Sequence, residues 1–125
     1  MSIKNISIGD AELIIMKVLW KANKPLNSQL IGEKVAHKNW KRTTISTFLT
    51  RLVEKGALKI EKVGNTYYYT PLISNSEYRK AQTKNLIKNL YNGSVLDFAL
   101  SLFEDENLSA DDIKELKAIF DIKEE

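Results

Sequence analysis

The chain has 125 residues, 43% hydrophobic and 28% charged, the balance of a folded globular protein rather than a disordered or fibrous one. It holds no cysteine, which excludes disulfides and thiolate metal sites, and no apolar run approaches the roughly 20 residues that span a bilayer. The net charge of +3 hides an asymmetry: residues up to Ile73 carry 12 Lys/Arg against 5 Asp/Glu, a net of +7, whereas the chain from Ser74 onward carries 7 against 11, a net of −4.

A basic half can bind a polyanion by displacing its counterions, and an acidic half faces away from the same polymer. The opening stretch MSIKNISIGD has no apolar block of a secretory signal, so the cytoplasm is the expected location.

A first helix is expected from a cap at Ser7 or Asp10, with Ala11, Ile14, Ile15, Val18, Leu19 and Ala22 on one face. That spacing is one side of a 3.6-residue period. Asn23 to Pro25 ends the helix, and Pro25-Leu26 suits a short extended edge because proline cannot donate to a ladder. Asn27 or Ser28 caps a second, short helix with Leu30, Ile31, Val35 and Ala36 as its apolar positions, and His37-Lys38-Asn39 reads as a turn.

A third helix is expected between Lys41 and Lys55, stopped by Gly56. One face is apolar: Ile45, Phe48, Leu49, Leu52 and Val53. The other carries Thr43, Ser46, Thr47, Thr50 and Arg51. Leu58 to Val63 alternates as a half-buried strand does. Thr66 to Thr70 is aromatic and β-branched, and Gly64-Asn65 supplies a tight hairpin turn between them. The order helix, helix, helix, hairpin is that of a winged helix-turn-helix.

The remainder reads as helical. A helix starts at Ser74 or Ser76 and runs to about Asn92. A second, capped by Ser94, carries Val95, Leu96, Phe98, Ala99, Leu100, Leu102 and Phe103, so it should be buried on almost every side. A third is capped by Ser109 with Asp112, stapled by Leu108 and Ile113, and striped by Ile113, Leu116, Ile119 and Phe120. Fold class is therefore mainly α with a small β-hairpin wing, divided into residues 1–73, a winged-helix DNA-binding domain, and residues 74–125, a three-helix dimerisation domain. So few residues bury little surface alone, and a second copy would supply the missing neighbours through a two-fold interface. The expected dimer contacts are Leu86, Leu90, Leu96, Phe98, Leu100, Leu102, Phe103, Leu116, Ile119 and Phe120.

A recognition helix anchors one face to the core and offers the other to base edges in the major groove. Its N-terminal end attracts phosphate through unpaired N–H groups and the helix dipole. Lys41 and Arg42 add full charges there, and Thr43, Thr44, Ser46 and Thr47 add hydroxyls and methyls. Arg51 lies further along the same face. In the wing, Lys59, Lys62 and the tip residue Asn65 are candidates for adjoining phosphates. Threonine is a poor surface helix former, so four threonines between Thr43 and Thr50 point to a role other than helix stability. Trp40 packs under the turn or braces a phosphate. Enzyme signatures are missing: His37 is the one histidine, and there is no HExxH, phosphate loop or cysteine nucleophile. No cofactor and no metal are expected. Two other readings stay open: a regulator sensing a small ligand in its helical tail, and a winged-helix module that binds only protein.

The segments Ile8–Glu12, Met16–Trp20, Trp40–Thr44, Thr50–Leu58, Tyr67–Pro71, Tyr91–Gly93 and Leu108–Ser109 together resemble the penicillinase-repressor family (BlaI/MecI/CopY), its BlaI/MecI branch in particular. The resemblance implies a homodimer on a palindromic operator. It implies repression of a β-lactamase or penicillin-binding-protein gene, hence a place in antibiotic resistance. It implies induction when a membrane sensor-protease triggers cleavage near Ser101-Leu102. Members usually place Asn where this chain has Ser101, and often Ser-Pro-Lys where it has Lys41-Arg42-Thr43. The paired Cys-x-Cys motifs of the copper-responsive branch are missing.

Overall fold

The computed structural model describes residues 6–104, 109–115 and 118. Its elements run α1 (Asp10–Ala22), β1 (Leu26–Asn27), α2 (Ser28–Lys34), a 3₁₀ turn (Ala36–Lys38), α3 (Arg42–Glu54), β2 (Leu58–Val63), β3 (Thr66–Pro71), α4 (Asn75–Leu90) and α5 (Val95–Glu104). The chain divides into two compact units, residues 1–82 and 83–125.

The caps explain where the helices begin and stop. α1 is capped at Gly9, not at Ser7 or Asp10, because the Glu12 carboxylate reaches back 2.9 Å to accept the Gly9 N–H. Glycine has no side chain to return the bond, so this is half of a capping box. Asn27 caps α2, its Oδ1 accepting the Leu30 N–H at 2.8 Å. α3 ends in a Schellman motif: the Ala57 N–H donates to the Leu52 carbonyl (2.9 Å) and the Gly56 N–H to Val53 (3.0 Å). Gly56 takes φ +83°, where any other L-residue is strained.

In the first unit, α1, α2 and α3 close around Ile15, Met16, Leu19, Ile31, Val35, Ile45, Leu49 and Leu52, all buried. The sheet order is β1-β3-β2, antiparallel throughout, with Leu26 opposite Tyr69 and Ile60 opposite the same tyrosine from the other side. The extended segment expected at Pro25-Leu26 is a strand one residue further on, Leu26–Asn27, with Pro25 outside it. Val63 and Thr66 pair across a two-residue turn, in which Gly64 alone has positive φ (+65°), as the first position of a II′ turn requires.

The wing departs from its expected half-burial. Only Leu58 of β2 is buried, while Ile60 is 40% and Val63 64% exposed. Alternation marks strand period, and past Leu58 no helix among the described residues of the unit covers the apolar side. Leu30 of α2 is exposed, and Ala36, expected on the same helix, begins the 3₁₀ turn and is exposed as well.

The first unit continues past the expected 73/74 boundary, to Gln82. Ile73 and Tyr78 belong to its core. The Trp20 indole N–H donates to the Ile73 carbonyl at 2.9 Å, and its ring lies 5.9 Å from that of Tyr78. Glu12 joins the two ends of the helical layer: it is 5% exposed and accepts from Lys55 Nζ at 2.5 Å.

In the second unit, α5 starts on Ser94, whose Oγ accepts the Asp97 N–H at 3.1 Å. Ser109 and Asp112 form a reciprocal capping box, 3.0 and 3.3 Å. α5 is not buried on almost every side within one chain: Val95, Leu96, Leu100 and Phe103 are exposed. The stripe residues Leu116, Ile119 and Phe120, and Leu108 of the staple, lie outside the described residues.

Candidate nucleic-acid interface

α3 positions the site. Ile45, Leu49 and Leu52 recur at i, i+4, i+7 and are buried, which fixes the helix about its axis. The opposite stripe then has to face out: Thr43, Ser46, Thr47, Thr50 and Arg51 are all exposed. Thr44, one step off that stripe and beside Ile45, is half-buried instead. The Thr47 hydroxyl donates to the Thr43 carbonyl at 2.9 Å. Its proton is therefore used within the helix, while its lone pairs and methyl stay available.

Lys41 occupies the N-cap position and Arg42 the first turn, both exposed. No side chain caps this end, and the first turn holds no acid. Free N–H groups, the positive end of the dipole and two cations therefore coincide. Trp40 packs edge-on against Phe48, ring centroids 5.1 Å apart, so its ring braces the start of α3. Arg42, Ile45 and Ser46 share an open groove with Ser28, Gln29, Gly32 and Glu33 of α2.

In the wing, Lys62 Nζ sits 5.6 Å from the Tyr67 ring centroid, a cation–π contact that holds an exposed lysine over the hairpin. Asn65 is exposed at the tip. Lys59 pairs with Glu61 at 3.1 Å, which offsets its charge. His37 is exposed in the 3₁₀ turn.

The carboxyl of Glu12 went unremarked in the sequence, although its place three residues after Gly9 is a capping signal. Burial pushes its pKa up. The Lys55 hydrogen bond, the Gly9 N–H and the charges of Lys55 and Arg51 outweigh that and hold it below its ordinary 4.5. The Arg51 guanidinium thus acts on the core carboxylate as well as standing on the exposed stripe.

In the second unit, Leu86, Leu90, Leu96, Leu100, Leu102 and Phe103 are exposed. Phe98 is half-buried, edge-on to Tyr91 with centroids 5.5 Å apart. Ser101 is half-buried: its Oγ accepts from the Tyr91 hydroxyl at 3.0 Å and donates to the Phe98 carbonyl at 2.6 Å.

Among the described residues no group of three or more His, Cys, Asp or Glu is placed to hold a metal ion, and no helix is long and apolar enough to cross a membrane.

A family model described as "Penicillinase repressor" matches residues 8–122. The chain belongs to the penicillinase repressor family. This repressor-family chain is 37% identical over 114 residues to the penicillinase repressor of Bacillus licheniformis, covering 91% of this chain and 89% of that one. It is 32% identical over 120 residues to the methicillin resistance regulatory protein MecI of Staphylococcus aureus strain N315, covering 96% and 98%. Both relatives are named as regulators, not enzymes. Among solved structures, the DNA-binding domain of the repressor BlaI matches with TM-score 0.53 at 40% identity, over 58% of this chain and 89% of that one. Bacillus licheniformis BlaI, in monomeric form with the blaP half-operator, matches with TM-score 0.50 at 41% identity, over 58% and 88%. The winged-helix fold and the membership of the BlaI/MecI-type family, both expected from the residues, agree with these findings.

Proposed function

We propose that this chain represses transcription by laying α3 into the major groove of operator DNA, as a homodimer on a palindromic site. The observation that carries the reading is the division of α3. Ile45, Leu49 and Leu52 hold it to the core, so Thr43, Ser46, Thr47, Thr50 and Arg51 form one exposed stripe behind a basic N-terminus. A BlaI relative solved with a half-operator supports DNA as the partner. Lys41 and Arg42 meet phosphates at the helix start. Thr43 and Ser46 reach base edges, Thr47 offers its methyl and lone pairs, and half-buried Thr44 contributes least. Lys62 and Asn65 place the wing on the flanking backbone.

Pairing of two copies follows from the apolar side chains that one chain leaves uncovered. Leu86, Leu90, Leu96, Leu100, Leu102 and Phe103 are exposed, more apolar surface than an isolated helical pair keeps in water. Cleavage near Ser101-Leu102, set off by a membrane sensor-protease, would split this surface, parting Leu102 and Phe103 from Leu86, Leu90, Leu96 and Leu100, and so weaken pairing and release the operator.

Fluorescence anisotropy on a two-fold symmetric promoter duplex, its half-site and a scrambled duplex tests the proposal. Tightest binding to the full site is the expected result. Equal affinity for all three duplexes would refute sequence-specific repression.

A further inference from the structure

The first unit holds a second groove, on the side of α2 that faces away from α3. Its floor is Val18, Ala22, Leu26 and Leu30, its rim Lys21, Lys24 and Lys34, and its volume about 550 Å³. Leu30 is 39% exposed. No acid lines it, and among the described residues none of the three lysines is ion-paired. α2 separates the two surfaces: Gln29 and Glu33 line the α3 side, Leu30 and Lys34 this one. The groove therefore stays open when the exposed stripe of α3 meets a duplex.

We propose that this groove docks an acidic amphipathic helix of a partner protein while the operator is bound. The chemistry is complementary on both counts. A helix with apolar residues at i, i+3, i+4 and i+7 fills a hydrophobic trough. Flanking Asp and Glu side chains meet the three lysines of the rim. Charge of this kind sets orientation and speeds encounter, while covering Leu30, 39% exposed, and the half-buried Val18 and Ala22 beside it supplies affinity. An apolar floor of this sort offers nothing to a phosphate backbone, which distinguishes the groove from the basic start of α3.

The test uses the full-length chain, free and operator-bound, labelled with ¹⁵N. The probe is a synthetic helix of about 18 residues with leucines at that spacing and glutamates elsewhere. Saturable amide shifts at Val18, Lys21, Ala22, Leu30 and Lys34 are expected in both states. Leu30→Ser or Lys34→Glu should weaken the peptide about tenfold or more and leave operator affinity within about twofold. The same peptide with lysines for glutamates giving an equal response would overturn the proposal. So would displacement of the peptide by excess duplex, which marks a nucleic-acid surface. So would a shift of the same amides on deleting residues 105–125, which marks the chain's own acidic tail as occupant.

Discussion

Lys55, just past the end of α3, donates to the carboxylate of Glu12, in the first turn of α1, at 2.5 Å. The bond links residues 43 positions apart and fixes the end of the candidate recognition helix to the scaffold. Glu12 is almost fully buried while the Lys55 side chain is 35% exposed, so the lysine stays partly hydrated when the pair forms. Glu12→Gln keeps an acceptor for the Gly9 N–H but loses the charge. It should cost about 1 kcal/mol, read as a lower midpoint of urea unfolding at pH 7.

The same pair gives a pH signature. The folded pKa of Glu12 lies below its ordinary 4.5, so folding favours the ionised form. Its contribution is complete above the unfolded value and is lost as pH falls through the folded one. Thermal unfolding measured from pH 7 down to pH 3 should show stability falling below about pH 4.5. The fall should be shallower in Glu12→Gln. Glu77 adds to the fall in both proteins, since the Ser74 N–H and hydroxyl hold its pKa down as well. Parallel curves for the two proteins would contradict the assignment.

The start of α4 belongs with the winged helix. Tyr78 is 8% exposed, against Trp20, whose indole bonds the Ile73 carbonyl. A fragment ending at Gln82 should be more stable than one ending at Ile73 by about 2 kcal/mol, the worth of a buried aromatic side chain. Chemical denaturation of the two fragments checks this, and equal midpoints would count against it.

The exposed leucines of α5 make the dimer testable. Leu96→Glu should move the sedimentation-equilibrium mass from two chains to one. It should lower full-operator affinity at least about tenfold and spare half-site binding. A variant that stays dimeric would exclude this face.

Much of the winged helix was legible because its signals are local. Of the two caps expected for α2, Asn27 is the one used, Gly56 stops α3, and the 3.6 period sorted the residues of α3 into an inner and an exposed stripe, with Phe48 and Val53 of the inner one half-buried. What escaped was non-local. Alternation in β2 shows a strand but not whether anything lies over it, and Ile60 and Val63 stand exposed. Tyr78 follows a polar junction, so pattern alone assigned it to the tail. The Glu12–Lys55 pair joins distant positions that no periodicity connects. For α5, composition indicated that neighbours are needed, and among the described residues Val95, Leu96, Leu100 and Phe103 stand exposed.

The central claim is that the basic start of α3 meets DNA phosphates. Its most direct test is operator affinity measured against salt for the natural chain and for a Lys41→Ala/Arg42→Ala variant. Log affinity should fall steeply with log salt, and the variant should bind more weakly with a slope shallower by about 2, roughly 1 for each phosphate that is no longer neutralised. A natural chain whose affinity ignores salt, or a variant with an unchanged slope, would contradict the account.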